Sequence, residues 1–479
     1  MNTHPPVPAS GPLDTLPPWL PYALGAGVLV LLAWLLVITG RYLMADKDTR
    51  RSIRQAARIR RTWPRLARSL GLVTIDRHPT LLASVANTDG KKPEPRTLVP
   101  ALHTKADRYG VVVNVKTVPT VGLPEFQKAA ERLAAAWQCT RVSVTPGKPG
   151  RLQLRAVRSE PLFEPYAYVP DGKPPADLTV WDLGIDEYAV ATALRIADVP
   201  GMAVAGLPGY GKTSLINALI SRLAPSDAVQ FAVADGKVSG RHEGDYADVV
   251  DRLFAFVGDD LEEANALFTR LVKLRRARSS CIREVLGHLA GKRVKNMWDI
   301  GPSKEWPLVV LVIDEAHTYF RDFKGSDAAT KRLAALAQEN IRLVEDLVKK
   351  GRSVGILVIL ATQKATGDAL PTAIRDVSPL RLSFAQTTTD ASVAALGDNI
   401  RDFPDFDPTT LQDHGYKGVI VMARPGGKGF IRVRIPYVDP DDAARVAEDS
   451  AHLMADPFEL LTLLTGPNLS KFTDLDDAA

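Results

Sequence analysis

The stretch Gly206-Leu207-Pro208-Gly209-Tyr210-Gly211-Lys212-Thr213, followed by Ser214, has the residue types and spacing to hold a polyphosphate. Glycines let successive backbone N–H groups turn inward around phosphate oxygens where a Cβ would clash. Lys212 then reaches the β- and γ-phosphates, and the Thr213 hydroxyl completes a Mg²⁺ shell. Two acids, Asp314 and Glu315, follow the apolar run Pro307–Ile313. In that position Asp314 would hold Mg²⁺ through its outer shell, and Glu315 would orient and deprotonate an attacking water. Gln363 closes a third apolar run, Gly355–Leu360, through Ala361-Thr362, and there a polar side chain can sense the γ-phosphate. ATP and Mg²⁺ are therefore the expected ligands.

Such groups need a rigid frame. Met202–Ala205 is a short apolar run, as a buried strand is, and Ser214–Leu223 has helical periodicity. Strand, glycine loop and helix arrive in the order that points the positive end of a helix at an anion. Val229–Ala234 reads as a second strand ending at Asp235-Gly236-Lys237, where an open α/β sheet places ligand-facing residues. Leu380–Phe384, Gly418–Met422 and Phe430–Val438 read as further strands, and Leu261–Arg278 and Lys331–Lys350 as helices. This alternation predicts an α/β motor over 181–438 with a mostly parallel sheet and helices on both faces.

The whole chain has 479 residues, enough for two or three domains. Its 46% hydrophobic and 24% charged content suits a globular protein and excludes a chiefly disordered one. Cys139 and Cys281 lie far apart with no metal-ligand spacing, which argues against a disulfide scaffold or zinc site and for a reducing compartment. Residues 1–19 are Pro-rich and lack Lys and Arg, so they read as a disordered extracytoplasmic tail. Leu20–Thr39 has no charged side chain and, as a helix rising ~1.5 Å per residue, spans about the ~30 Å of a bilayer core. In a signal peptide the positive charges precede the apolar run, whereas here Arg41, Lys47, Arg50, Arg51, Arg54 and further arginines to Arg68 follow it. The expectation is one transmembrane helix at 20–39 in the cell membrane, the N-terminus outside and the rest in the cytoplasm. The basic juxtamembrane segment 40–70 would meet anionic headgroups, each charge contributing about 1 kcal/mol.

Between 71 and 160 the texture is that of a small α+β domain without catalytic residues. Tyr109–Val118, Arg141–Thr145 and Leu152–Val157 read as strands, and Pro124–Trp137 as a helix with Phe126, Ala130, Leu133 and Trp137 on one face. A Pro-rich linker covers 161–180. Lys273, Arg275, Arg276 and Arg278 form a basic cluster, which reads either as a solvated face or as a nucleic-acid contact. The tail 439–479 carries ten acidic residues against two basic, too acidic to grip a phosphate backbone.

The order GLPGYGKT, VVLVIDEAH and LVKKGRSVGILVILATQ resembles the FtsK/SpoIIIE class of DNA-pumping ATPases. The KGR-x-x-G-I run leading into ATQ is the most specific part, and the likeness extends from about Tyr109 to Val438, through VNVKTV, VTPGKPGRLQL and the DGK at Asp235–Lys237. The resemblance implies a RecA-like P-loop ATPase motor that assembles as a homo-oligomer, a hexameric ring threading double-stranded DNA. It also implies an arginine supplied by the neighbouring subunit. Arg352 is the first candidate and Arg381 the second. Tyr210 departs from the family, whose loops carry a small residue there. One span, a short linker and no winged-helix region resemble transfer proteins of conjugative elements more than cell-division members. That leaves sequence recognition absent or done by a separate protein. The leading expectation is a membrane-anchored, ATP-driven translocase for conjugal DNA transfer. Chromosome segregation and the motor of a protein-secretion system are the alternatives.

Overall fold

The computed structural model describes residues 42–76, 96–363 and 371–465, with scattered positions between 26 and 40. The tail 1–19 and most of the apolar stretch Leu20–Thr39 lie outside the described residues. Among those that are described, no helix is long and apolar enough to cross a membrane. The chain divides into two compact units, 1–160 and 161–479, each with its own core.

In the first unit, helix α1 (Lys47–Ser69) starts where the Asp46 carboxylate accepts hydrogen bonds from the Asp48 and Thr49 N–H groups. Ser52, Ala56, Ile59, Trp63 and Ala67 recur at helical spacing and are buried, leaving most of the arginines outward. Short strands β1 (Thr74–Asp76) and β2 (Arg96–Leu98) pair with each other. A four-stranded antiparallel sheet follows, with β3 (Ala101–Asp107), β4 (Gly110–Lys116), β5 (Arg141–Pro146) and β6 (Arg151–Val157) in the order β3-β4-β6-β5. Helices α2 (Leu123–Lys128) and α3 (Ala130–Trp137) pack Phe126, Leu133 and Trp137 against Val111, Val113 and Val115 of β4. Ile59 and Trp63 of α1 join that same core, and the Trp63 indole donates to the Pro100 carbonyl at 2.7 Å. The basic segment after Arg41 is thus a structural part of this unit, because its apolar residues share one helical face.

In the second unit, Tyr166–Ala167 (β7) is a two-residue strand within the Pro-rich stretch, and Leu162 is buried. The main sheet has ten strands: β8 (Val180–Asp186), β9 (Ala191–Arg195), β10 (Gly201–Ala205), β11 (Val229–Asp235), β12 (Leu253–Val257), β13 (Leu308–Asp314), β14 (Ile356–Thr362), β15 (Leu380–Ser383), β16 (Val419–Ala423) and β17 (Phe430–Arg434). Their order is β12-β11-β13-β14-β10-β15-β16-β17-β8-β9. Pairings from β12 through β15 are parallel, and those from β15 to β9 are antiparallel. The expectation of a mostly parallel sheet holds for the half that carries the site. In the other half the β8–β9 and β16–β17 connections, the second of them Arg424–Gly429, are too short for the crossover that parallel strands need. The first residues of the expected motor supply the β8–β9 hairpin at the sheet edge. Every residue of β10, β11, β13 and β14 is buried, as the continuous apolar runs require of strands covered on both faces.

Helices α4 (Lys212–Leu223), α5 (Leu261–Ala290) and α6 (Ala328–Lys350) belong to the parallel half. On α5 the basic cluster is partly structural. The Arg275 guanidinium pairs with Asp346 of α6 at 2.7 Å. Arg278 is fully buried, donates to the Pro307 and Val354 carbonyls at 3.0 Å each, and lies 5.0 Å from the Trp306 ring centroid. Neither side chain is available to a nucleic acid.

Beyond β18 (Pro436–Tyr437), which pairs with β7, the expected acidic tail contains α7 (Pro440–Ser450) and α8 (Pro457–Thr465). Ala443, Ala447 and Leu461 enter the main core. The buried Gln230 amide donates to Leu453 O at 2.9 Å and accepts from Ala455 N and from Arg252 at 2.9–3.0 Å. Counting charge missed these helices because their few apolar residues fall on one face.

Candidate nucleotide site

The loop between β10 and α4 is set by its glycines. Gly206 has φ +153°, and a Cβ there would lie 2.5 Å from Phe384 Cβ. Gly211, at φ +110°, precedes the first turn of α4 and provides no side-chain cap, so the helix's leading N–H groups face the cavity. Lys212 is buried and its ammonium donates to the Gly206 and Leu207 carbonyls at 2.8 and 3.2 Å. Burial lowers its pKa, opposed by the charges of Glu315 and Asp314. Pro208, Gly209, Thr213 and Ser214 line a cavity of about 530 Å3, with Gln363 and Lys237 on its walls.

Parallel register carries the acids to the same edge. β13 ends at Asp314 beside Asp235 of β11, while Gln363 follows the end of β14. Asp314 is fully buried with both oxygens engaged. Oδ1 accepts from Glu315 N at 2.8 Å, and Oδ2 accepts from Tyr246 OH at 3.1 Å and Lys237 Nζ at 3.3 Å. Glu315 is buried in the left-handed backbone region at φ +48°, a conformation costing a non-glycine residue on the order of 1 kcal/mol or more. Its Oε1 accepts from the Gln363 amide at 2.5 Å and lies 3.6 Å from Lys237 Nζ, and its Oε2 lies 3.2 Å from His317 Nδ1. Burial pushes the Asp235 carboxyl up to about 6. The pKa of Lys237 is raised by Asp314 and Glu315, which outweigh the burial that would lower it.

One carboxylate and one hydroxyl, Asp314 and Thr213, offer hard oxygen ligands, a donor set that fits Mg²⁺ completed by phosphate oxygens and water. Among the described residues no group of three or more His, Cys, Asp or Glu side chains is placed to hold a metal ion. A second, more apolar cavity of about 440 Å3 shares Gly209, Gly211, Ser214 and Tyr437 with the first. Tyr210, His414 and Ile435 also line it, giving a flat aromatic group such as a base a place beside the phosphates. Tyr210, the family departure, is anchored there by donating to Gln412 O at 2.5 Å.

Neither candidate arginine lines these cavities. Arg352 precedes the N-terminal end of β14, opposite Gln363, and its half-exposed side chain lies 3.5 Å from Asp198. Arg381, within β15, donates to Arg375 O at 3.1 Å, and burial lowers its pKa. Sequence reasoning missed Tyr246, which sits in a 3₁₀ segment (Gly244–Arg252) whose apolar spacing marks a buried face but not its contact with Asp314. It also missed the Tyr437–Ala443 stretch at the cavity rim.

Residues 200–364 match the family model for an AAA domain. The chain is 24% identical over 303 residues to the DNA translocase FtsK of Helicobacter pylori, covering 62% of this chain and 31% of that protein. It is 26% identical over 299 residues to the Haemophilus influenzae DNA translocase FtsK, covering 56% and 50%. These likenesses agree with the resemblance of the loop, acid and glutamine motifs to the FtsK/SpoIIIE class. The chain carries an AAA-type ATPase domain, with the loop lysine, paired acids and glutamine at one sheet edge. It spans between about a third and a half of the length of these two FtsK relatives. Among solved structures it is similar to the pCW3 conjugation coupling protein TcpA, with a TM-score of 0.47 and 16% identity over 86% of this chain and 99% of that one. A second is the type VII secretion ATPase EccC of Thermomonospora curvata, with a TM-score of 0.43 and 19% identity over 62% and 34%.

Proposed function

We propose that this chain is a membrane-anchored motor that hydrolyses ATP to move double-stranded DNA, with conjugal transfer between cells as its task. The observation that carries the reading is the convergence of Lys212, Asp314, Glu315 and Gln363 on one edge of the parallel sheet. Lys212 would bind the β- and γ-phosphates, and Glu315, held by Gln363, would take the proton of the attacking water. Mg²⁺ held by Thr213 and Asp314 would neutralise phosphate charge. The DNA substrate is supported by the FtsK relatives, which are DNA translocases. Anchoring, with the motor on the cytoplasmic side, is supported by the uncharged Leu20–Thr39 run and the arginines that follow it. An apolar stretch of a single span's length and a short Pro-rich connection support the conjugative task. A hexameric ring, with Arg352 or Arg381 reaching the neighbouring site, fits the absence of an arginine from the cavity of about 530 Å3 among the described residues.

The test is ATP hydrolysis by the detergent-purified chain with and without linear duplex DNA, beside Lys212→Ala. Strong, salt-sensitive stimulation that the variant loses is the expected result. Hydrolysis indifferent to DNA overturns the DNA-motor reading in favour of protein secretion.

A further inference from the structure

Lys237 has a place in the site that the phosphate loop and the paired acids do not explain. Its backbone is built in: Lys237 N donates to Asp235 Oδ1 at 3.0 Å, and Gly236 N donates to Asp314 O at 3.1 Å. Gly236 is pressed against Thr318, whose Oγ1 would lie 2.6 Å from any Cβ and which donates to Gly236 O at 3.1 Å. The side chain leaves this turn into the wall of the phosphate cavity, where Lys212 and Lys237 are the cations among the lining residues. Among the described residues its ammonium donates to Asp314 Oδ2 at 3.3 Å, and Glu315 Oε1 stands at 3.6 Å. An ammonium has three N–H donors, so others remain for an acceptor inside the cavity.

We propose that Lys237 is a catalytic residue that contacts the terminal phosphoryl group of a bound nucleoside triphosphate and makes the site prefer triphosphate over diphosphate. The inference rests on the ATPase reading above and deepens it. A terminal phosphate in this cavity must approach two buried carboxylates, and like charges at such range repel strongly in a low-dielectric site. Lys212 donates to the loop carbonyls at the other wall, whereas Lys237 stands between the acids and the cavity. From there its charge offsets that repulsion and stabilises the equatorial oxygens as the bond to the leaving group lengthens. In the step itself water attacks the γ-phosphorus, and the bond to the bridging β–γ oxygen breaks with its electron pair passing to ADP. Glu315 takes the water's proton. Lys237 moves no proton and remains an ammonium throughout, in keeping with its raised pKa.

The experiment measures ATPγS and ADP affinities with Mg²⁺ for the full chain in detergent, wild type beside Lys237→Met and Lys237→Gln. Thermal unfolding without nucleotide checks the fold of each. The Gln variant keeps an amide that can donate to Asp314, so it decides the matter if the Met variant does not fold. The expected result is that the wild type prefers ATPγS, that removing the charge lowers this preference at least tenfold, and that ADP affinity stays within about twofold. An unchanged preference, or ATPγS and ADP affinities falling together, overturns the role of Lys237. Failure of the wild type to bind either nucleotide instead overturns the ATPase reading, and the inference with it.

Discussion

Glu315→Gln separates holding the nucleotide from breaking it. The substitution keeps the side chain's length and shape, so the left-handed backbone at φ +48° and the burial are undisturbed. The new amide oxygen can still accept from Gln363 Nε2, which now reaches Oε1 at 2.5 Å, and can stay beside Lys237. What disappears is the ability to take a proton from water. A positioned general base contributes about 10²–10⁴-fold, which corresponds to roughly 3–5 kcal/mol of barrier. Steady-state phosphate release should fall by that factor, while ATP stays bound and its affinity changes by less than about threefold. A nucleotide filter-binding assay and a phosphate-release assay on the same preparation read the two quantities. Hydrolysis within about tenfold of wild type would refute the assignment of Glu315 as the base, and a parallel loss of ATP binding would refute the claim that its role is confined to chemistry.

Gly206→Ala should abolish ATP binding measured by filter retention, because the added methyl meets Phe384 Cβ at 2.5 Å on a backbone that disfavours L side chains; normal binding would mean the loop is not the phosphate site. Arg278→Ala leaves the Pro307 and Val354 carbonyls without their buried donor and opens a cavity, so unfolding free energy from denaturant titration should drop by roughly 3–5 kcal/mol. Arg352→Ala and Arg381→Ala should each leave ATP binding intact, and the one that acts in trans should depress wild-type turnover when mixed into the assembly. A variant that alters neither its own turnover nor that of the mixture is dismissed as a trans arginine. Burial pushes both thiols up to about 11 from an ordinary value of 9.0. Raised pKa values keep them protonated at neutral pH, so iodoacetamide labelling of the half-buried Cys139 should rise about tenfold per pH unit between pH 7 and 10. Buried Cys281 should stay protected until the chain unfolds; a flat pH profile at Cys139 would contradict its environment.

The sequence by itself determined the central strands and which polar residues stand at their ends. The phosphate loop, Asp314-Glu315 and Gln363 were legible because each closes a continuous apolar run, and in a parallel sheet such runs must end at the same edge. It could not reveal what reaches that edge from elsewhere. Tyr246 lies in a 3₁₀ segment and the Tyr437–Ala443 rim in β18 and the start of α7, where apolar spacing marks a buried face but not the distant site that face borders. The antiparallel half of the sheet and the β8–β9 hairpin depend on which strands find one another, a long-range choice that local pattern does not encode. Charge was the most misleading signal. Arg275 and Arg278 belong to a basic cluster by sequence yet serve the interior, and the stretch from Asp439, read as an acidic tail, packs Ala443, Ala447 and Leu461 into the core. Composition counts a charge wherever it stands, but only tertiary structure says whether a carbonyl, a carboxylate or water answers it.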